Sequence, residues 1–164
     1  LVITAQGPLE SALKQQVVDL GLKLDRDVIF TGAVPFETLI QVYYSADLFV
    51  FSSMTETQGL VLIEAMAAGL PVVAIKAYGV LDMVDHGING FLTACDQNEF
   101  TGAILRLLND DKIRHYFRNN ALVKAEQVSS QQMALELEKV YQQLSNKHIH
   151  RRSRVYDWLS RMAP

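Results

Sequence analysis

Apolar residues along this chain fall into short unbroken runs, separated by stretches with helical spacing. Residues 1–5 are a β-branched run and predict a buried strand. After the Gln6-Gly7-Pro8 turn, Leu9, Leu13, Val17 and Leu20 mark one helix face, which Gly21 ends. Residues 28–32 predict a second strand. A short helix over 37–45 carries Leu39, Ile40, Val42, Tyr43 and Tyr44. A third strand at 47–52 leads into a helix closed by Gly69, with Pro71 just beyond. Strands follow at 71–75 and 91–93, with a short helix over 81–84 and a turn cluster at 85–90 between them. Helices over 97–109, 111–117 and 130–145 fill the rest. Continuously apolar strands alternating with helices predict a parallel sheet covered on both faces, in a doubly wound α/β fold. Ligands in such folds sit beyond the carboxyl ends of the strands. Those ends are Gln6-Gly7, Gly32-Ala33, residues 53–59 and residues 76–79.

Composition narrows the function classes. The 164 residues are 49% hydrophobic and 20% charged, enough for one globular domain with a real core. A net charge of −3 argues against nucleic acid as a partner. Cys95 is the single cysteine, so no internal disulfide is possible and a reducing cytoplasm is expected. Cys95 itself is expected to be packed rather than reactive. No apolar run is long enough to span a bilayer, and no signal peptide is present. An opening apolar run led by Leu1 rather than Met suggests a piece of a longer protein. His86, His115, His148 and His150 lack accompanying ligands, so no metal site is expected. There is no G-x-G-x-x-G, Walker loop or G-x-S-x-G elbow.

The candidate chemistry lies between the third strand and the next helix. Glu56 and Glu64 bracket Thr57-Gln58-Gly59-Leu60-Val61-Leu62-Ile63, with seven residues between them. Glu64 sits in an otherwise apolar helix, where a carboxylate is costly unless something polar meets it. Gly59 would let a ligand approach the backbone, and the N–H groups around Gly59 to Val61 would suit a phosphate. An anion site beside two hydroxyl acceptors is what a sugar nucleotide requires. The competing reading has Glu56 complementing the helix dipole and Glu64 pairing with a structural Arg or Lys. The residues alone leave both open. Tyr43 and Tyr44 are expected in the core or at its rim, the alternative being that they line the ligand crevice.

These residues resemble a known family. Glu56 and Glu64 with Gly59-Leu60, Ala65-Met66-Ala67 and Gly69-Leu70-Pro71-Val72-Val73 are similar to the E-x7-E region of retaining GT-B glycosyltransferases of the large group-1 family. Gly7-Pro8 resembles the end of that family's G-x-G-P turn, with Ala5 where a Gly is usual. Phe30-x-Gly32 resembles its f-x-G strand end, and Ala46-Asp47 and Ser53 its A-D strand start and P-S ending, with Ser52 replacing the Pro. Gly79-x-x-Asp82-x-Val84 and Gly87-x-x-Gly90-Phe91-Leu92 resemble the motifs that follow, with Asp82 where Glu is common. The likeness covers residues 1 to about 125.

The resemblance implies the donor-binding C-terminal domain of a two-domain, metal-independent enzyme with a Rossmann-like fold. Glu64 would bind the ribose hydroxyls. Glu56, the catalytic candidate, would contact the donor sugar. Gly59, Leu60 and Val61 would lie at the diphosphate, Ala33 and Val34 at the base, and Gln58 and Gly7 at the donor. The variant Thr55-Glu56-Thr57-Gln58-Gly59-Leu60-Val61 most resembles bacterial diacylglycerol glucosyltransferases, implying UDP-glucose as donor and a membrane lipid as acceptor. An acceptor domain, and a first strand with the Arg and Lys that hold the donor phosphates, would precede this chain. The fragment alone is then expected to be inactive. In the usual 3-2-1-4-5-6 order the absent strand is central, so the sheet either closes differently or keeps an open edge. The alternatives are a non-catalytic nucleotide-binding module and a sugar-nucleotide epimerase of the same fold.

The nucleotide-sugar-binding part is placed at residues 1–144 and a basic amphipathic tail at 145–164. In the tail Lys147, Arg151, Arg152, Arg154 and Arg161 stand against Asp157 alone. Val155, Trp158, Leu159 and Met162 form one helical stripe. That stripe suits packing on the acceptor domain or lying on an anionic membrane. Packing is the reading taken, with Arg151, Arg152 and Arg154 left to touch lipid, which would place the enzyme at the inner face of the cell membrane.

Overall fold

A computed structural model of the chain describes residues 1–160 except Ala5, with side chains described through Ser145. The elements alternate as β1 (Val2–Ile3), α1 (Glu10–Asp19), β2 (Ile29–Phe30), α2 (Phe36–Tyr44), β3 (Phe49–Phe51), α3 (Leu60–Ala67), β4 (Val72–Ile75), α4 (Tyr78–Leu81) and β5 (Gly90–Thr93). Three helices follow: α5 (Gln97–Asn109), α6 (Asp111–Gln127) and α7 (Ser130–Ser160). Every strand pairing is parallel, as expected for a doubly wound α/β fold.

The strands fall into two groups, β1-β2 and β3-β4-β5. Among the described residues no strand pairs β1 or β2 with β3, so one edge of β3 is left without a ladder partner. Phe49 donates its N–H to the Pro71 carbonyl across the β3–β4 ladder. Backbone groups alternate sides along a strand, so those of Val50 point to the other edge. On β1, the Leu1 and Ile3 carbonyls face β2, which turns Val2 outward in the same way.

β4 is the central strand of its sheet and all four of its residues are buried. Val72 and Ala74 face Leu62 and Met66 of α3, together with Val80, Val84 and Leu92. Val73 faces the other way, against Phe91, Leu107 and Phe117. α6 serves both layers. Phe117 belongs to the second cluster, while Ala121 and Ala125, one turn apart, join the first beside α3. Asp96 and Asp110 cap α5 and α6, accepting N–H bonds from Glu99 at 2.8 Å and from Lys112 and Ile113 at 3.0 Å. The turn before β5 is built on Asn89, which is 1% exposed. Its Oδ1 accepts from the Asp85 N–H and its Nδ2 donates to the Met83 carbonyl. By contrast, among the described residues before Tyr43 only Val17 and Val28 are buried.

Six expectations need correction. Residues 1–5, expected as a buried strand, hold only the two-residue β1, with Val2 44% exposed because nothing among the described residues covers that side. Tyr44, expected in the core or at its rim, is 68% exposed, since the buried face of α2 turns Tyr43 inward instead. The short helix after β4 occupies Tyr78–Leu81 rather than 81–84, because the chain turns directly at Ala77. α6 runs to Gln127, not 117, since small alanines carry its packing face there. α7 continues past 145 to Ser160 without a break. Cys95 is exposed, in the turn between β5 and α5, rather than packed.

Candidate functional site

Glu56 closes the loop that leads into α3. Its Oε1 accepts three backbone N–H bonds, from Thr57 at 2.9 Å, Gln58 at 2.9 Å and Gly59 at 2.8 Å. These donors, the Gly59 N–H foremost and Gln58 next, hold the Glu56 carboxyl below the usual range. Gly59 is the N-cap of α3 in the left-handed region, at φ +70. The sequence offered the Gly59 N–H to a ligand phosphate, but Glu56 already occupies it. Among the described residues, the donors left without a partner at this helix start are the N–H groups of Leu60 and Val61.

Gly59 also proves necessary for a reason internal to the chain. A Cβ there would lie 2.6 Å from the Gly79 carbonyl oxygen and 2.9 Å from Met83 Cγ. A Cβ on Gly79 would in turn meet Thr57 C at 2.5 Å and Gln58 N at 2.7 Å. The Gly79 N–H donates to the Glu56 carbonyl at 3.0 Å. The loop after β3 and the start of α4 are therefore locked backbone to backbone.

Glu64 lies one turn into α3 and is half-buried. Among the described residues no Lys, Arg or His lies within ion-pair distance of it. Tyr43 of α2 meets it instead: the Tyr43 hydroxyl donates to Glu64 Oε2 at 3.2 Å. Tyr43 is 8% exposed and packs with Ala65, Ala68 and Leu70, edge-on to Phe49 at 5.9 Å. Burial, then the adjacent Glu64 charge, push its phenol up to about 12. Sequence reasoning placed Tyr43 in the core or at its rim without giving it this contact. Asking what polar group meets Glu64 could have found it.

The remaining candidates sit on neighbouring loops. Gln58 is exposed, as are Leu60, Gly7 and Ala33, while Val61 and Val34 are half-buried. Gly7 follows β1, and Ala33 and Val34 follow β2. Gln6 joins the two loops, its Nε2 lying 3.3 Å from where a Cβ on Gly32 would be. Tyr43 ties the helix after β2 to Glu64. A separate cavity of about 390 Å³, lined by residues including His86, Phe91, Arg106 and Tyr116, shares no residue with this site. The side chains of Arg151, Arg152, Arg154 and Trp158 lie outside the described ones. No group of three or more His, Cys, Asp or Glu side chains among the described residues could hold a metal. No helix among the described residues is long and apolar enough to cross a membrane.

The two helix-start N–H groups, without a partner among the described residues, can hold a phosphate, and the two carboxylates, each with one oxygen that makes no hydrogen bond among the described residues, can accept hydroxyl groups. The family model "Glycosyl transferases group 1" matches residues 1–124. The D-inositol 3-phosphate glycosyltransferase of Corynebacterium kroppenstedtii is 36% identical over 80% of this chain and 29% of its own length. The alpha-monoglucosyldiacylglycerol synthase of Streptococcus pneumoniae is 35% identical over 62% of this chain and 26% of its own. Among solved structures, Anabaena HepE in complex with UDP and glucose superposes with a TM-score of 0.71. It is 31% identical over 84% of this chain and 40% of that one. The chain thus spans under a third of the length of both of these curated relatives.

Proposed function

The chain belongs to the group 1 glycosyl transferases, and we propose that it is the donor-binding part of a retaining enzyme that moves glucose from UDP-glucose to an acceptor. The observation that carries this reading is the half-buried Glu64 carboxylate, which among the described residues has no cationic partner and no hydrogen bond to Oε1, and which lies one helical turn along α3 from the Leu60 and Val61 N–H groups. Glu64 accepts the ribose hydroxyls, and the two N–H groups hold the diphosphate. Glu56, already fixed through Oε1, presents Oε2 to the hydroxyls of the sugar. Ala33, Val34 and Gly7 line the base and the near side of the donor, and Gln58 lies at the diphosphate. Solved relatives in complex with UDP and UDP-glucose support a uridine nucleotide sugar as the donor.

Calorimetric titration with UDP-glucose, UDP-galactose, UDP-N-acetylglucosamine and GDP-mannose tests the donor. UDP-glucose is expected to bind tightest. Losing a hydrogen bond to a charged acceptor costs about 1.5–3 kcal/mol, so Glu64→Ala should weaken binding roughly ten- to a hundredfold. Unchanged affinity in a folded variant would remove the assignment.

The acceptor we propose is a membrane lipid, with the enzyme at the cytoplasmic face of the membrane. A named glucosyldiacylglycerol synthase among the relatives supports this, as does the basic run Arg151, Arg152 and Arg154. Changing all three to Glu should abolish sedimentation with phosphatidylglycerol vesicles at low salt and leave donor binding intact. Sedimentation equal to the parent's would end the membrane reading.

A further inference from the structure

We propose that Tyr43 is a positioning residue for nucleotide recognition, holding Glu64 Oε2 so that Oε1 faces the ribose. This rests on the assignment of Glu64 as the ribose anchor. A Glu side chain on a helix has three rotatable bonds, and its terminal carboxylate torsion is broad. A carboxylate that has to accept two vicinal hydroxyls must hold both its place and its plane. No cation among the described residues anchors Glu64, and the neighbouring α3 side chains that are buried are apolar. Among the described residues the Tyr43 hydroxyl is the side-chain group that bonds its oxygens, at 3.2 Å.

Tyr43 suits this task because it is itself fixed. The residue is 8% exposed and packed among Ala65, Ala68 and Leu70, with the Phe49 ring set edge-on at 72°. The hydroxyl therefore arrives on a rigid ring rather than on a flexible stem. A phenol pushed up to about 12 stays protonated across the physiological range, so it always donates and never competes for the ligand's hydroxyls as an anion. A carboxylate offers roughly four lone-pair positions, of which Tyr43 takes one. An Arg or Lys in its place would neutralise the charge that makes Glu64 a strong acceptor. A tyrosine orients the group and leaves it anionic.

Position also matters. Tyr43 stands near the end of α2, which follows the β2 loop carrying Ala33 and Val34. The bond to Glu64 thus joins the base-side loop to the ribose-side helix. Its effect should appear as discrimination for ribose hydroxyls and not only as affinity.

The test compares the full chain, Tyr43→Phe, Glu64→Ala and the double variant by calorimetry with UDP and with 2′,3′-dideoxyuridine diphosphate. Tyr43→Phe keeps the ring and its packing and removes only the hydroxyl. It should weaken UDP binding about tenfold while leaving the dideoxy nucleotide nearly unchanged. In the Glu64→Ala background the same change should have no effect on either ligand. Equal weakening of both ligands would mark Tyr43 as merely structural, and full additivity in the double variant would overturn the coupling to Glu64. Unaltered UDP affinity in Glu64→Ala would overturn the donor-site reading itself, and this inference with it. If Tyr43→Phe does not fold, Tyr43→Met, which fills the site without a donor, is read as the ratio of UDP to dideoxy affinity. A ratio collapsed to that of Glu64→Ala supports the proposal. A ratio equal to the parent's, with or without a uniform loss of affinity, overturns it.

Discussion

Gly59 and Gly79 touch backbone to backbone, and neither has room for a Cβ. The atom a substitution would add to Gly59 falls 2.6 Å from the Gly79 carbonyl oxygen, at a residue already in the left-handed region. Left-handed strain and overpacking each cost about 1–3 kcal/mol. Gly59→Ala should therefore lower the thermal midpoint by on the order of 10 °C and weaken donor binding as the Glu56 loop shifts. Gly102, inside α5 with nothing within 4 Å of where an alanine methyl would sit, is the control. Gly102→Ala should raise stability by about 0.5–1 kcal/mol. Thermal unfolding of the two variants checks both signs.

The Glu56 loop should respond to pH in a defined direction. Its carboxyl is held low by the Gly59 N–H first, then by Gln58 and Thr57. A group whose pKa is depressed on folding favours the folded form at every pH above its unfolded value. That contribution fades as pH falls through the folded pKa. The amide shifts of Thr57, Gln58 and Gly59 should titrate together, with a midpoint below the ordinary glutamate value of about 4.3. Glu56→Gln should abolish the titration. A midpoint at or above the ordinary value would show that the three bonds are not formed in solution.

How much of this was readable in the chain depends on the range of the interaction. β4 was legible because a central parallel strand must be apolar on both faces, and Val72-Val73-Ala74-Ile75 is. Glu64 was legible because its apolar surroundings made it an anomaly. Its partner Tyr43, 21 residues away, left no local sign. The lock between Gly59 and Gly79 was hidden for the same reason: Gly59 read as room for a ligand and Gly79 as a loop residue until the fold brought them together. The second half of α6 was missed because Ala121 and Ala125 contribute to packing by being small, which a count of large apolar residues ignores.

The open edge of β3 yields an exchange prediction. The Val50 N–H faces away from β4, whereas β4 has a partner on each side. An amide without a ladder bond exchanges by local fluctuation rather than by global opening. The Val50 amide should exchange at least roughly tenfold faster than that of Val73. Equal protection would mean that another segment or a second copy covers this edge in solution.

The opposite edge of the same sheet is closed by a side chain. β5 is the outer strand, and its Leu92 N–H points away from β4. His86 Nδ1 accepts that N–H at 3.0 Å. Leu92 is 7% exposed, so without His86 its N–H would be buried with no partner. Leaving such a donor unsatisfied costs about 1–3 kcal/mol. The ring also packs on Phe91 at 5.7 Å, so truncation would remove contact area as well as the acceptor. His86→Phe keeps a ring of similar size and removes only the acceptor. It should lower stability by about 1–3 kcal/mol in denaturant unfolding and speed exchange of the Leu92 amide, with donor affinity unchanged. Unaltered Leu92 exchange in that variant would show that water, not His86, satisfies this edge.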